Sequence, residues 1–93
     1  MMDILQENNE NKGRFYIEID GNKEAEMTYT WAGTSRVIID HTEVNEVLRG
    51  QNAGKLMVLK AVEFAREKNI KIVPLCPFAN SVFKKNVDIQ DVL

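Results

Sequence analysis

The hydrophobic period of the chain changes midway, from two residues to about 3.6. Phe15-Tyr16-Ile17-Glu18-Ile19 alternates aromatic and β-branched residues with others, which predicts a strand. Asp20-Gly21 follows, and the glycine supplies the positive φ that a tight hairpin demands. Glu24 to Trp31 reads as the return strand. Ala25, Met27, Tyr29 and Trp31 fall on one face, with Glu24, Glu26, Thr28 and Thr30 on the other. Met27, Tyr29 and Trp31 are assigned to core or hairpin-face packing. Ala32-Gly33-Thr34-Ser35 makes a second turn, and Arg36 to Val44 a third strand centred on Val37-Ile38-Ile39. Three strands joined by short turns form an antiparallel meander.

Asn45 to Gly54 is then a glycine-containing loop, and Leu56 to Lys68 has no internal Gly or Pro. Val58, Ala61, Val62 and Ala65 form a buried helical stripe, while Lys60, Glu63 and Glu67 face outward. Asn69 suits the left-handed stop of a helix. Ile70 to Leu75 is a fourth strand. A strand–helix–strand unit crosses over right-handed, so this strand lies parallel to Arg36–Val44. Pro77 opens a last short helix through Lys85. Asn86 to Leu93 carries no readable period. Met1 to Lys12 is polar and reads as a loose tail, with a short amphipathic turn at Ile4 and Leu5 as the alternative. The expectation is a folded domain over 13–93 of mixed α/β (α+β) class. Its architecture is an antiparallel meander, a strand–loop–helix–strand crossover and a short C-terminal helix.

Composition narrows the function. The 93 residues allow one small domain, and 44% hydrophobic content supplies its core. Twelve basic against 14 acidic residues give a net charge of −2, which argues against a dedicated nucleic-acid binder. A single cysteine, Cys76, excludes an intramolecular disulfide. With one histidine besides, the inventory for a zinc site is poor, and no metal is expected. No targeting segment is visible, and the longest apolar run, Leu56 to Leu59, is too short to span a bilayer. A cytoplasmic protein with a reduced thiol is the simplest expectation.

The chemistry concentrates in Arg49-Gly50-Gln51-Asn52-Ala53-Gly54-Lys55, between a strand and a helix. A helix N-terminus offers unpaired N–H groups and partial positive charge, and a glycine lets a phosphate approach them. Arg49 and Lys55 bracket the loop with positive charge. The alternative is an ordinary glycine turn into a helix. The segment lacks the Gly-Lys-Ser/Thr ending of a Walker loop and the three-glycine spacing of a dinucleotide fingerprint.

This segment resembles the coenzyme A signature of the GNAT superfamily, Arg/Gln-x-x-Gly-x-Gly/Ala. Arg49 matches its first position and Gly54 its last. Asn52 stands where the signature has its first glycine, and Asn is the non-glycine residue that best tolerates positive φ. The chain resembles, more narrowly, a small stand-alone subgroup of uncharacterised N-acetyltransferase-domain proteins. The shared features are Gly13-Arg14-Phe15-Tyr16, Met27-Thr28-Tyr29, Asp40-His41-Thr42-Glu43-Val44, Leu48-Arg49-Gly50 and Pro74-Leu75-Cys76-Pro77-Phe78-Ala79. The resemblance covers residues 13–93. It implies that acetyl-coenzyme A is bound as substrate. The strand at His41 to Val44 would splay from the Ile70–Leu75 strand, with the pantetheine arm pairing to Thr42, Glu43 and Val44. The pyrophosphate would sit on the amides from Gln51 to Lys55, around Gly50, Asn52, Ala53 and Gly54. Asn80, Phe83 and Lys84 would border the pantetheine or adenine, although Lys84-Lys85 also reads as a plain surface pair. Full-size members carry N-terminal helices that help form an acceptor site. This chain has no room for them, so the acceptor is unassigned.

Cys76 and His41 are the candidate reactive groups. Cys76 precedes Pro77, a favoured first helical residue, which places the thiol near an N-cap where the helix dipole favours a thiolate. His41 lies in the neighbouring strand near the same cleft. A Cys76/His41 pair could relay an acetyl group through a thioester. Direct amine attack with His41 or Glu43 as base is the alternative. No Tyr follows Tyr29, so the tyrosine general acid common in the superfamily is absent. The bland readings are a buried small Cys76, a hydrogen-bonded His41, and solvated Glu43 and Glu46. Three functions follow: an acetyltransferase, a non-catalytic coenzyme A-binding module, and a plain interaction domain. The chain is expected as a monomer or weak homodimer, without nucleic-acid or membrane partners.

Overall fold

The structure, a computed structural model, describes residues 3–93. Five strands form one sheet in the order β1-β2-β3-β4-β5: β1 Leu5–Asn8, β2 Lys12–Ile19, β3 Asn22–Trp31, β4 Arg36–Val44 and β5 Lys71–Pro74. β1 to β4 pair antiparallel, and β5 pairs parallel to β4. Helix α1 (Ala53–Lys68) makes the crossover between β4 and β5, and α2 (Pro77–Lys85) follows β5. The mixed α/β expectation holds, and the range of α2 is the one its Pro77 start and Lys85 end predict.

The β2–β3 turn uses positive φ at both Asp20 and Gly21, the twist that suits a two-residue hairpin. Asn69 ends α1 in the left-handed region, and its N–H reaches back to Ala65 and Arg66 carbonyls. The buried stripe of α1 is Met57, Val58, Ala61, Val62 and Ala65, which packs on Phe15, Ile17, Met27, Tyr29 and Ile39 of the sheet. Phe64 sits with its ring 6.0 Å from those of both Phe15 and Tyr29 and 6.2 Å from Trp31. Both helices contribute to this one core, and the opposite face of the sheet mixes Arg14, Glu26, Thr28 and Thr30 with Tyr16, Ile38 and Val73. Truncating a side chain such as Met57 or Ile72 to alanine costs about 2–5 kcal/mol here.

The expected loose tail is corrected for residues 3–12. Leu5–Asn8 form β1, and Lys12 already opens β2. The strand has one apolar residue, but its partners are distant in sequence. Tyr29 Oη accepts from Gln6 Nε2 at 2.8 Å and donates to Asn8 Oδ1 at 2.7 Å, and Trp31 Nε1 donates to the same Asn8 oxygen at 2.9 Å. Arg14 bonds Glu7 and Glu26 across three strands. The C-terminal stretch, which shows no period in the sequence, also has structure: Val87–Val92 is a 3-10 helix whose Ile89 and Val92 are buried. Arg66 holds it to α1 through Asp91 at 2.6 Å.

One irregularity decides what faces the core. β3 pairs Tyr29 with Ile39 but Thr28 with His41, so Asp40 is an extra residue and β4 bulges there. Strict alternation from Val37 and Ile39 would turn His41 and Glu43 toward the helices. The bulge reverses the parity and turns Thr42 and Val44 that way instead.

Candidate functional site

The bulge also marks where two strands part. Parallel pairing of β4 with β5 ends at Ile39 and Pro74, whereas β4 stays paired to β3 as far as Val44. Cys76 N still donates to Ile39 O at 3.0 Å. Beyond that bond, Thr42–Val44 have no β5 partner, and a wedge opens between β4 and the start of α2. β5 itself ends at Pro74, so this opening lies between β4 and the start of α2 and not between two diverging strands.

The wedge leads to the N-terminus of α1. Leu48 is buried and anchors a 3-10 turn, Glu46–Leu48, that carries the chain out of β4. Gly50 has φ +83°, and Asn52 is the N-cap with φ 57° and ψ 28°. The turn that a glycine would make is therefore made by the asparagine. Ala53, Gly54 and Lys55 belong to the first turn of α1, so the helix starts earlier than the loop reading allows. No side chain caps this end, and the first bond back to it runs from Leu56 N to Asn52 O at 2.9 Å. The amides of Ala53, Gly54 and Lys55 have no protein acceptor, although Ala53 and Gly54 are buried. An uncapped helix end of this kind leaves its donors to water or to a ligand.

These amides open into a cavity of about 490 Å³. Val44, Leu48, Arg49, Gly50 and Asn52–Lys55 form one wall. The other wall is the α2 stripe Phe78, Ser81, Val82 and Lys85, with Asn86. Arg49, Lys55 and Lys85 stand around it, and none of the three enters an ion pair among the described residues. Three free cations and an open helix end suit a ligand with more than one anionic group.

The three α2 residues named for the site lie off the cavity wall. Phe83 is 1% exposed and belongs to the core. Asn80 and Lys84 are absent from the cavity wall. The helical phase explains this: 78, 81, 82 and 85 share one stripe, and 80, 83 and 84 lie off it. Phe78, Ser81 and Lys85 are the residues that sequence reasoning missed, and this i, i+3, i+4, i+7 spacing was the signal that could have found them. Gln51 also lies off the wall, with its amide directed to Val47 O.

Cys76 is the N-cap of α2, with Pro77 at the first helical position. It is 6% exposed, and its Sγ lies 3.3 Å from Thr42 Oγ1. Burial pushes the thiol pKa up. The Thr42 hydroxyl, together with the amides of Ala79, Phe78 and Thr42, more than offsets this and holds it below the ordinary thiol value. Those α2 amides favour the thiolate without any formed side-chain cap. His41 does not join it. Its side chain is 66% exposed, on the outer face of the sheet, with Nε2 3.6 Å from Glu43 Oε2. The bulge at Asp40 separates Cys76 from His41 by the thickness of the sheet, and the expected Cys/His pair is not assembled. Glu43 lies beside His41 on that outer face, away from the cavity.

Similarity to known proteins follows the same frame. The sequence model of the GCN5-related N-acetyl-transferase family matches residues 14–92. Protein NATD1 of Danio rerio is 28% identical over 81 residues, which span 86% of this chain and 74% of that protein. Its Homo sapiens counterpart is 26% identical over 84 residues, 89% of this chain and 74% of that protein. The solution structure of a GCN5-like protein from Staphylococcus aureus superposes with a TM-score of 0.73 at 41% identity, covering 97% of this chain and 85% of that one. The crystal structure of ribosomal-protein-alanine N-acetyltransferase from Brucella melitensis biovar Abortus 2308 gives a TM-score of 0.69 at 17% identity. It covers 83% of this chain and 62% of that one, and shares the fold.

Proposed function

Because this chain belongs to the family of GCN5-related N-acetyltransferases, we propose that it binds acetyl-coenzyme A in the cavity at the start of α1 and transfers the acetyl group. The observation that carries the reading is the set of amides at Ala53, Gly54 and Lys55 without a protein acceptor, beside a cavity ringed by Arg49, Lys55 and Lys85. The pyrophosphate accepts from these amides. The pantetheine arm runs along Thr42–Val44, whose free edge faces the wedge. The thioester then arrives near Cys76.

In the covalent route, the Cys76 thiolate attacks the thioester carbonyl and forms a new C–S bond. The coenzyme A thiolate leaves and takes a proton from solvent. An acceptor amine then attacks the Cys76 thioester and releases the thiol. Thr42 positions the sulfur and supports its charge. His41 has no part in this route. A direct route with His41 or Glu43 as base requires the amine to reach the thioester through the opening beside β4, because both side chains lie on the sheet face opposite Cys76.

A second reading, a coenzyme A-binding module without turnover, is supported by one specific observation. The thiol is buried and no histidine reaches it. Calorimetric titration with acetyl-coenzyme A, using ATP and NAD as controls, tests the binding; intact mass after incubation tests the chemistry. Selective binding with a gain of one acetyl, lost in Cys76→Ala, is the expected result. Binding without that gain leaves the module or the direct route, and these separate by whether the thioester is consumed once amines are supplied. No binding to acetyl-coenzyme A overturns the acyl-transfer reading.

A further inference from the structure

The cavity stops short of the thiol. Neither Cys76 nor Thr42 is part of its wall, although Phe78 and Val44, each two residues further along the same elements, are. Thr42 and Cys76 meet at 3.3 Å, and the cavity wall begins two residues beyond them at Val44 and Phe78, so a route from the cavity to the thiol starts between these two side chains.

Phe78 stands on the helix side of that route, with its ring directed onto α1. A Cβ built on Gly54 would meet Phe78 Cζ at 2.6 Å and Cε2 at 2.7 Å. The edge of the ring thus rests directly on the backbone of the first turn of α1. The ring is nevertheless 42% exposed, so it lies over the surface between the two helix ends and not in the core. Gly54 has a helical φ and needs no glycine for its conformation. Its missing side chain is explained by the room the Phe78 ring takes. A half-exposed aromatic side chain can change rotamer quickly, which a core ring cannot do without moving its neighbours.

We propose that Phe78 is a gate: its ring, seated on Gly54, closes the ligand-free protein between the phosphate-sized end of the cavity and Cys76, and swings off Gly54 to let the arm of an acyl thioester through. The gate controls access and positions the arm, and takes no part in bond making. Its functional meaning rests on the acyl-transfer reading, but its existence does not.

The test is made on ligand-free protein, where the rate of Cys76 alkylation by iodoacetamide reports access to the sulfur. Phe78→Ala is expected to label at least about fivefold faster than the parent, and Phe78→Tyr, which keeps the ring, within about twofold of it. Gly54→Ala is expected to label faster as well, because its new methyl group displaces the ring. Local unfolding would also expose the thiol, so each rate is measured with and without low urea. A gate gives rates that urea barely changes, whereas an unfolding route accelerates with it. Phe78→Ala labelling within twofold of the parent would overturn the gate, and so would an increase that appears only as urea is added. A protein that labels as expected but binds no acetyl-coenzyme A would overturn the acyl-transfer reading and leave the gate standing. Binding and acetylation with no change in labelling would do the reverse.

Discussion

Two helices begin side by side in this protein, and their N-termini are finished differently. α1 starts after a left-handed Asn52, has no cap, and opens its first amides to a cavity between Arg49, Lys55 and Lys85. α2 starts after Cys76, has Pro77 where the first amide would be, and keeps a buried sulfur over its end. Both ends carry the same partial positive charge. One is left open to the cavity, and the other lies under a thiol of its own chain, whose pKa its amides help to lower. A helix dipole therefore does not specify a function. The residue at the cap, and whether space is left in front of it, decide which use is made.

Reversing the charges around α1 should break this comparison most severely. Arg49→Glu with Lys55→Glu is expected to weaken acetyl-coenzyme A binding by about 100-fold or more in a calorimetric titration. The pH profile of Cys76 alkylation should hardly move. If both properties shift together, the two helix ends are one device and the comparison fails.

Removing the sulfur attacks the other end. Cys76→Ala is expected to abolish any acetyl adduct while leaving coenzyme A affinity within about threefold, since the thiol lies outside the cavity wall. An affinity loss as large as that of the charge reversal would place the thiol in the binding site itself.

Asn52 sharpens the comparison at the level of the backbone. Its φ of 57° costs most residues about 1–2 kcal/mol and glycine almost nothing. Asn52→Val should lose about that much stability in urea unfolding, and Asn52→Gly should be neutral or gain up to about 1 kcal/mol. Equal stability of the two would mean that the left-handed turn is not held.

The smallest effect concerns the Thr42 hydroxyl. Thr42→Val removes a group that lowers the Cys76 pKa, so the thiol pKa rises and alkylation at neutral pH slows a few-fold. The parent pKa lies below the ordinary thiol value in the folded state. The thiolate therefore adds stability above the unfolded pKa, and that increment is lost as pH falls through the folded pKa. Comparing the parent with Cys76→Ser across this range should show the parent gaining relative stability as pH rises. The opposite slope would mean that burial outweighs the hydroxyl and the amides.

Local pattern in the sequence was enough for α2, for the stop at Asn69 and for the β2–β3 hairpin, because each rests on residues adjacent in the chain. The anion-suited loop was legible for the same reason. Asn52 could be assigned positive φ from its chemistry, and Arg49, Gly50, Ala53, Gly54 and Lys55 all line the cavity. What was not legible depends on distant partners. β1 has a polar sequence and is held by Tyr29, Trp31 and Arg14, none of them near it in the chain. The bulge at Asp40 is a mismatch between two strands, so no run of residues in β4 alone announces it, yet it decides that Thr42 and not His41 meets Cys76. The Phe78 contact needed both helices in place, and only then did Gly54 acquire a second explanation.

Amide NMR during titration with acetyl-coenzyme A tests residue by residue whether the start of α1 is the ligand site. The largest shifts are expected at Asn52–Lys55, with further shifts at Thr42–Val44, Ser81 and Lys85, and little change in β1 and β2. No shifts, or shifts confined to the outer face of the sheet around Arg14, Glu26 and His41, would contradict that placement.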